Sequence, residues 1–428
     1  MSYILLIIFF AINVIVFIRF SKNYLGVFSA PSLFAIVSVF FTGVQLVRII
    51  EVTPHPDQTV AYPLLYIILC TLAVPFGFYF GQKLSSNIVH ENTEFKWNNI
   101  IWIILLFTLI GGYVSWISRG MYIGGFVSGL FVILKFFTSY LDYALFLILI
   151  IWVYQKRKMS VLLYAIILFI LYLEVDKLIT SARRADIIQI VLTLLFFLVI
   201  AHRNKVYRIV RLMIIAFFTV GFLMNSLVGA FRVRSLEKGM SFSENIEGLE
   251  IDVASATFST KKDLYGLEIQ NAIIGINSCD NYGLMDHDLG LFHWNGIIRN
   301  FIPKSLFGAE FKDDIMIDLG TNPQLNKLTQ SGSTMTGYFN TYHSFGFMGW
   351  LEFFLIAYIM GILWRKMNHS LVSMVLYVSL ITPFLHTITH STGNFVNSVV
   401  MYCVLVAPFI LLIRQKGLSY KNLIKYNY

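Results

Sequence analysis

Charge is what this chain has least of. Only 13% of its 428 residues are Asp, Glu, Lys or Arg, whereas 57% are aliphatic, aromatic, Met or Cys, and the mean hydropathy is +0.72. Soluble domains carry about 25% charged residues, so the polar material here cannot clothe a globular surface. A cytosolic enzyme and a nucleic-acid binder are excluded, although a net charge of +9 would otherwise suggest a polyanionic partner. Cysteine is also scarce. Cys70 and Cys403 fall in apolar runs and Cys279 stands alone in a polar segment, so no disulfide framework holds that segment together. A Walker-type phosphate loop, a GxSxG elbow, a dinucleotide fingerprint, internal repeats and low-complexity tracts are all missing. ATP-driven work by this chain alone therefore has no sequence support.

What the chain has in abundance is long apolar runs. A helix of about 20 apolar residues crosses about 30 Å of hydrocarbon. Eleven runs qualify, at roughly 3–18, 25–50, 61–81, 99–117, 125–153, 159–179, 186–201, 212–229, 343–364, 370–389 and 395–413. The expected fold is an all-α polytopic membrane protein of about 11 transmembrane helices. Residues 1–229 hold helices one to eight, 230–342 one large polar loop of short helices, 343–413 helices nine to eleven, and 414–428 a tail. The first run has neither a basic n-region nor a small-residue cleavage site, so it reads as a retained span.

Basic residues in short loops set orientation. One set of alternate connections holds Arg19 and Lys22, Lys83 and Lys96, Lys156 to Lys158, Arg203 to Arg211, Arg365 and Lys366, and the basic residues of the tail. The other set of short loops holds only Arg119, Arg183 and Arg184, with Arg48 and Lys177 just inside span ends. The first set is expected on the cytoplasmic side, which places the amino terminus outside and the tail inside. The 230–342 loop then faces outward, with nine basic and 14 acidic residues. Most of the positive excess is thus a topology signal, favoured also by anionic lipid headgroups.

Arginines on the translocated side run against that bias. Arg183 and Arg184 lie in Ser181-Ala182-Arg183-Arg184-Ala185-Asp186, and on a helix Asp176, Thr180 and Arg183 share a face. A local ion pair at the interface accounts for them, and so does a clamp for a diphosphate, which planar bidentate guanidiniums suit. Arg232 and Arg234 follow the eighth run two residues apart, on one side if the chain is extended. Snorkelling to lipid phosphates is the plainer account of either one. Arg119 is a fifth outward arginine.

His343 lies where the ninth run begins, three residues before Gly346 and six before Gly349. Its ordinary pKa near neutrality makes it the best-placed neutral base on the outer side, although a simple interfacial hydrogen bond explains it equally. The stretch Trp294 to Gly308 combines aromatics with Arg299, Lys304 and Pro303, which suits sugar faces or a membrane interface. Asp286-His287-Asp288 with His293 nearby has metal-ligand residue types, and His386 and His390 have an i, i+4 spacing. Solvated acidic turns and a polar cavity lining are the better accounts, and no metal site is expected. Lys135, Asp142 and Glu352 inside apolar runs keep a transporter open as an alternative.

Three stretches stand out together: Ser181 to Asp186 opening a span, Asn300-Phe301-Ile302-Pro303-Lys304-Ser305-Leu306-Phe307, and Gly337-Tyr338-Phe339-Asn340 leading to Phe345-Gly346-Phe347-Met348-Gly349. They resemble the Wzy-type O-antigen polymerases, the oligosaccharide repeat unit polymerases of Gram-negative bacteria. The layout of about 11 spans with one large late loop is similar too, while His343-x-x-Gly346-x-x-Gly349 also resembles the related O-antigen ligases. The resemblance implies a membrane-embedded glycosyltransferase of the type C-like class in the bacterial inner membrane, needing no cofactor or metal. It would act in lipopolysaccharide biosynthesis on undecaprenyl-diphosphate-linked oligosaccharide among membrane lipids, with a separate chain-length regulator as partner and no nucleic acid. Arg183, Arg184, Arg232, Arg234 and Arg119 would then bind diphosphate. His343 would be the catalytic base, with Asp313 or Asp314 as alternatives, and Arg299, Tyr338, Asn340 and Trp294 would position glycan.

Overall fold

The computed structural model describes residues 1–23, 25–85, 93–95, 97–118, 134, 136–155, 160–181, 184–202, 206, 208–219, 268–282, 287–318, 334–367, 370–409 and 414–416. Among these the chain is helical apart from one short two-stranded ladder. The first half runs α1 (Ser2–Phe20), α2 (Ala30–Val37), α3 (Val44–Val52), α4 (Pro56–Thr59), α5 (Ala61–Ser85), β1 (Thr93–Phe95), α6 (Trp97–Ser118), α7 (Tyr140–Gln155), α8 (Val161–Ser181) and α9 (Arg184–His202). The second half runs α10 (Glu268–Tyr282), α11 (Leu291–Phe301), α12 (Lys304–Phe307), α13 (Ala309–Ile315), α14 (Thr336–Phe345), α15 (Trp350–Lys366), α16 (Leu371–Thr389), α17 (Gly393–Met401) and β2 (Arg414–Lys416).

Among the described residues six stretches are long and apolar enough to cross a membrane: Ser2–Phe20, Ala30–Val52, Ala61–Leu84, Asn99–Ser118, Thr336–Lys366 and Val372–Thr389. Shorter apolar helices at Tyr140–Val153, Val161–Glu174, Ile188–His202 and Gly393–Phe409 fall on four further expected runs. The outer surface of these helices is as apolar as the inner one. On α1, Leu6, Phe9, Asn13 and Val16 turn inward at helical spacing, while Ile4, Ile7 and Ile15 on the other side stay exposed. Trp102, Leu109 and Tyr113 do the same on α6. Such a surface would aggregate in water and is at home in hydrocarbon. The protein is a polytopic helical membrane protein.

Contacts between the helix ends sort them into two groups. At one end, the Ser2 N–H donates to Asp57 Oδ1 at 2.7 Å, Asn277 Nδ2 to the Thr59 carbonyl at 2.7 Å, and Thr334 Oγ1 to the Thr389 carbonyl at 2.6 Å. Gln45 ties α3 to α10 there, its Oε1 accepting from the Ile269 N–H at 3.0 Å. At the other end β1 pairs antiparallel with β2, Thr93 opposite Lys416 and Phe95 opposite Arg414. The start of α1, the 53–60 turn and α10 to α14 therefore share one end, and the β ladder marks the opposite one.

The helix carrying His343 begins earlier than the apolar run suggests. It starts at Thr336, because Gly337 already lies against the Thr387 carbonyl of α16, and the chain packs from that point on. A single 3₁₀ turn, Gly346–Gly349, then links α14 to α15.

Among the described residues the most extensive helix pairing joins α5 to α15. Gly77 and Gly81 of α5 sit one helical turn apart, and a Cβ on either would strike the Phe354 or Tyr358 carbonyl of α15. Gly361 of α15 meets the Phe78 carbonyl in return. Two backbones in contact leave no room for side chains, the small-residue packing that membranes favour. Gly77→Val or Gly81→Val is expected to destabilise the protein by about 1–3 kcal/mol or more by overpacking, read as a lower melting temperature in detergent. Gly296→Ala, whose nearest neighbour would be Asn397 at 3.7 Å, is expected to leave it unchanged.

Candidate functional site

His343 lies in the last turn of α14, its ring stacked on Phe339 at 5.5 Å between centroids. The i, i+4 spacing brings the two rings together. The helix stops there because Gly346 adopts φ +55° and ψ −141°, a conformation that a Cβ would strain. A Cβ at Gly346 would also sit 3.0 Å from His287 Nε2.

Carbonyls in the last turn of a helix lack intrahelical partners. Residues 287–290 supply them. The Asp288 N–H donates to the His343 carbonyl at 3.3 Å, the Leu289 N–H to the Ser344 carbonyl at 3.1 Å, and His287 Nδ1–H to the His343 carbonyl at 2.9 Å. To make these bonds the chain turns through Leu289 at φ +50° and Gly290 at φ +84°. A leucine in left-handed conformation is strain that the surrounding contacts must hold, and such strain clusters at functional sites. The same turn sends the Asp288 side chain back toward His343. Its Oδ1 accepts from the Gly290 N–H at 2.9 Å, and its Oδ2 lies 3.5 Å from His343 Nδ1. The Asp288 side chain is 2% exposed and that of His343 27%. Burial works to raise the Asp288 carboxyl, but His343, Ser344 and the Gly290 N–H outweigh it and hold the carboxyl below the ordinary range.

A second imidazole–carboxylate pair lies alongside. His293 of α11 meets Glu352, in the first turn of α15, Nε2 to Oε1 at 2.8 Å. Both side chains are mostly buried, at 18% and 12% exposure. Their remaining polar atoms, His293 Nδ1 and Glu352 Oε2, are buried without a hydrogen-bond partner among the described residues. Glu352 thus has a local partner in a segment outside its own helix.

The other expected site residues divide. Trp294 is half exposed on α11, its Nε1–H donating to the Ile315 carbonyl at 2.9 Å. Arg299 lies in the last turn of the same helix with its side chain exposed, and its carbonyl accepts from Lys312 Nζ at 2.9 Å. Burial, with Lys304 and Arg299 close by, lowers the Lys312 ammonium from its ordinary value. Asn340 lies on α14 with its Oδ1 buried and without a hydrogen-bond partner among the described residues. Tyr338 corrects the expectation that it positions glycan. It is wholly buried, its ring stacked on Phe353 at 5.3 Å, because its place on α14 faces the α15 side of the core. Asp313 pairs with Lys304 at 3.1 Å. Arg119, Arg183, Arg232 and Arg234 lie outside the described residues, and Arg184 is the first residue of α9. His386 and His390 have ring centroids 4.8 Å apart, and no group of three or more metal-ligating side chains occurs among the described residues.

Sequence reasoning missed the role of Asp288, placing it in a solvated acidic turn. It also missed Asn295, whose amide pairs with both backbone groups of Ile317 at 2.6 and 3.0 Å and holds the chain at 317 against α11. The only sequence sign of the Asp288 turn is its Asp-x-Gly form, which permits the bond from Oδ1 to the Gly290 N–H.

Compared with known proteins, the chain matches no family model, no characterised sequence and no solved structure.

Removing the carboxylate from the second pair tests its structural weight. Glu352→Ala leaves a buried His293 nitrogen without its partner and is expected to lower stability by about 1–3 kcal/mol. Glu352→Gln keeps a polar group at that position and should lose less than half as much. Thermal unfolding of the two variants in the same detergent compares them.

Proposed function

We propose that the chain is a polymerase of surface polysaccharide in a bacterial inner membrane. It transfers a growing glycan from undecaprenyl diphosphate to the non-reducing end of an incoming lipid-linked repeat unit, as its resemblance to the O-antigen polymerases implies. The observation that carries the reading is His343: a partly exposed imidazole at one end of a helical membrane body, with the buried Asp288 carboxylate behind it. Its neighbours Gly337, Phe345, Gly346 and Gly349 are residues on which the resemblance rests, and here they set where α14 stops and how close it packs.

The side of the membrane fits the substrate. The His343 end is the end poor in short-loop lysine and arginine, whereas Arg365, Lys366 and the β ladder lie at the other. By the positive-inside rule the His343 end faces the periplasm, where a flipped lipid-linked glycan is presented. The full reading has about 11 spans, an outward amino terminus and a cytoplasmic tail. Diphosphate is a good leaving group, so the site has more use for cations than for a strong acid. The outward arginines Arg119, Arg183, Arg184, Arg232 and Arg234 supply them. The pairing of Glu352 with His293 also accounts locally for a charge that would otherwise favour a transporter.

The test is deletion followed by a gel of surface polysaccharide, with complementation by Arg183→Ala, Arg232→Ala and His343→Ala. Variants that accumulate normally are expected to leave single-repeat glycan, since removing a general base typically lowers a rate by about 10²–10⁴-fold. Wild-type chain lengths in all three would refute the assignment. Long polymer left unattached to lipid A core would move the reading to the related ligases.

A further inference from the structure

Resting on the polymerase reading, we infer that Asp288 is the positioning residue for His343. It holds the imidazole with Nδ1–H toward its carboxylate, so that Nε2 is the atom that takes the proton from the attacking sugar hydroxyl. The inference begins from the two oxygens of one side chain. Oδ1 completes the 288–290 turn by accepting from the Gly290 N–H at 2.9 Å. The clasp onto α14 is made by main-chain bonds from Asp288 and Leu289 and by His287, none of which uses the carboxylate. Those bonds leave Oδ2 out; the carboxylate also acts with Ser344, and Oδ2 lies 3.5 Å from His343 Nδ1. A buried carboxylate facing Nδ1 of a more exposed imidazole fixes the tautomer and stabilises the imidazolium that forms on proton transfer.

The neighbouring histidines lack this arrangement. His287 spends Nδ1 on the His343 carbonyl, and its Nε2 faces Gly346. His293 spends Nε2 on Glu352, and its Nδ1 is buried. Only His343 among these three has its carboxylate on one nitrogen while its ring is open to the surface, at 27% exposure. The left-handed Leu289 lies in the same turn, a strained conformation that its neighbours must hold.

In the step itself, the acceptor hydroxyl oxygen forms the bond to the anomeric carbon and its proton passes to His343 Nε2. The bond from that carbon to the phosphate oxygen breaks, and the departing undecaprenyl diphosphate keeps the electron pair. Asp288 gains no proton. It remains ionised, and the low-lying carboxyl described above is in keeping with that role.

The experiment uses the full chain in detergent with lipid-linked repeat units as substrate, comparing wild type, His343→Ala, Asp288→Asn and Asp288→Glu. Asparagine keeps an oxygen for the Gly290 N–H and removes the charge facing His343. It is expected to lower kcat by about 10²-fold with KM changed by less than about 2-fold, and glutamate to recover to within about 10-fold of wild type. Histidine ¹⁵N shifts give a readout independent of activity: neutral His343 is expected to be protonated on Nδ1 in the wild type and on Nε2 in the asparagine variant. Wild-type kcat in Asp288→Asn beside an inactive His343→Ala overturns the inference. So does an Nε2-protonated His343 in the wild type. A loss that appears equally in kcat and KM, falls with the melting temperature and is not recovered by glutamate also overturns it, because that is the behaviour of a purely structural clasp. If the tautomer behaves as expected but wild-type protein lengthens no glycan, the positioning stands and the polymerase reading falls.

Discussion

The contact of α5 with α15, backbone against backbone, is the constraint on which the site depends. In lipid no hydrophobic force pulls helices together, and association rests on close packing. Gly77, Gly81 and Gly361 allow the two helix axes to approach until carbonyls fill the space that side chains would occupy. That fixes the depth of α15. Its first turn carries Glu352, and the 3₁₀ turn before it leaves no slack, because Gly349 lies against the Thr341 carbonyl and the Tyr66 hydroxyl. Tyr66 belongs to α5, so the same helix that seats α15 also fixes the end of α14 and the height of His343.

On that base the 287–318 segment is attached mainly by polar contacts, with an aromatic stack beside them. Its main-chain N–H groups complete the end of α14, two imidazole–carboxylate pairs join it to α14 and α15, and Phe301 stacks on Phe136 at 4.9 Å. Within the segment Asn295, Trp294 and Lys312 each satisfy a backbone carbonyl of a neighbouring turn. A segment held by hydrogen bonds has a defined geometry with little buried hydrocarbon.

The membrane body could be read from the sequence because one variable, apolar run length, governs both insertion and helix formation in hydrocarbon. Where the run and the helix differ, a tertiary contact decides. Gly337 meets the Thr387 carbonyl of α16, so α14 begins at Thr336 although Thr336 to Tyr342 are not a strongly apolar stretch. The site was readable only in part. His343 stands out by its charge chemistry beside two glycines, but its partner Asp288 is 55 residues earlier and no periodicity connects them. Tyr338 shows the converse error. Its motif marks it as notable, yet the reason is packing on Phe353, and a residue type alone does not distinguish a ring that meets sugar from one that meets another ring.

The two imidazole–carboxylate pairs illustrate why burial has to be read atom by atom. The distances alone would rank His293–Glu352 first, at 2.8 Å against 3.5 Å for His343–Asp288. On the proposed reading a proton acceptor must also present its second nitrogen to substrate, and in ring exposure the order reverses, 27% for His343 against 18% for His293. His293 has its remaining nitrogen sealed, with Glu352 keeping a second buried oxygen beside it, so this pair is enclosed on both sides. His343 is the more loosely held and the more open of the two. At 3.5 Å the contact from Asp288 Oδ2 to His343 Nδ1 falls short of a hydrogen bond, and the proposed reading needs it to tighten when the reacting group is in place, as catalytic contacts commonly do. The tighter pair anchors the segment, and the looser one leaves its imidazole the more exposed.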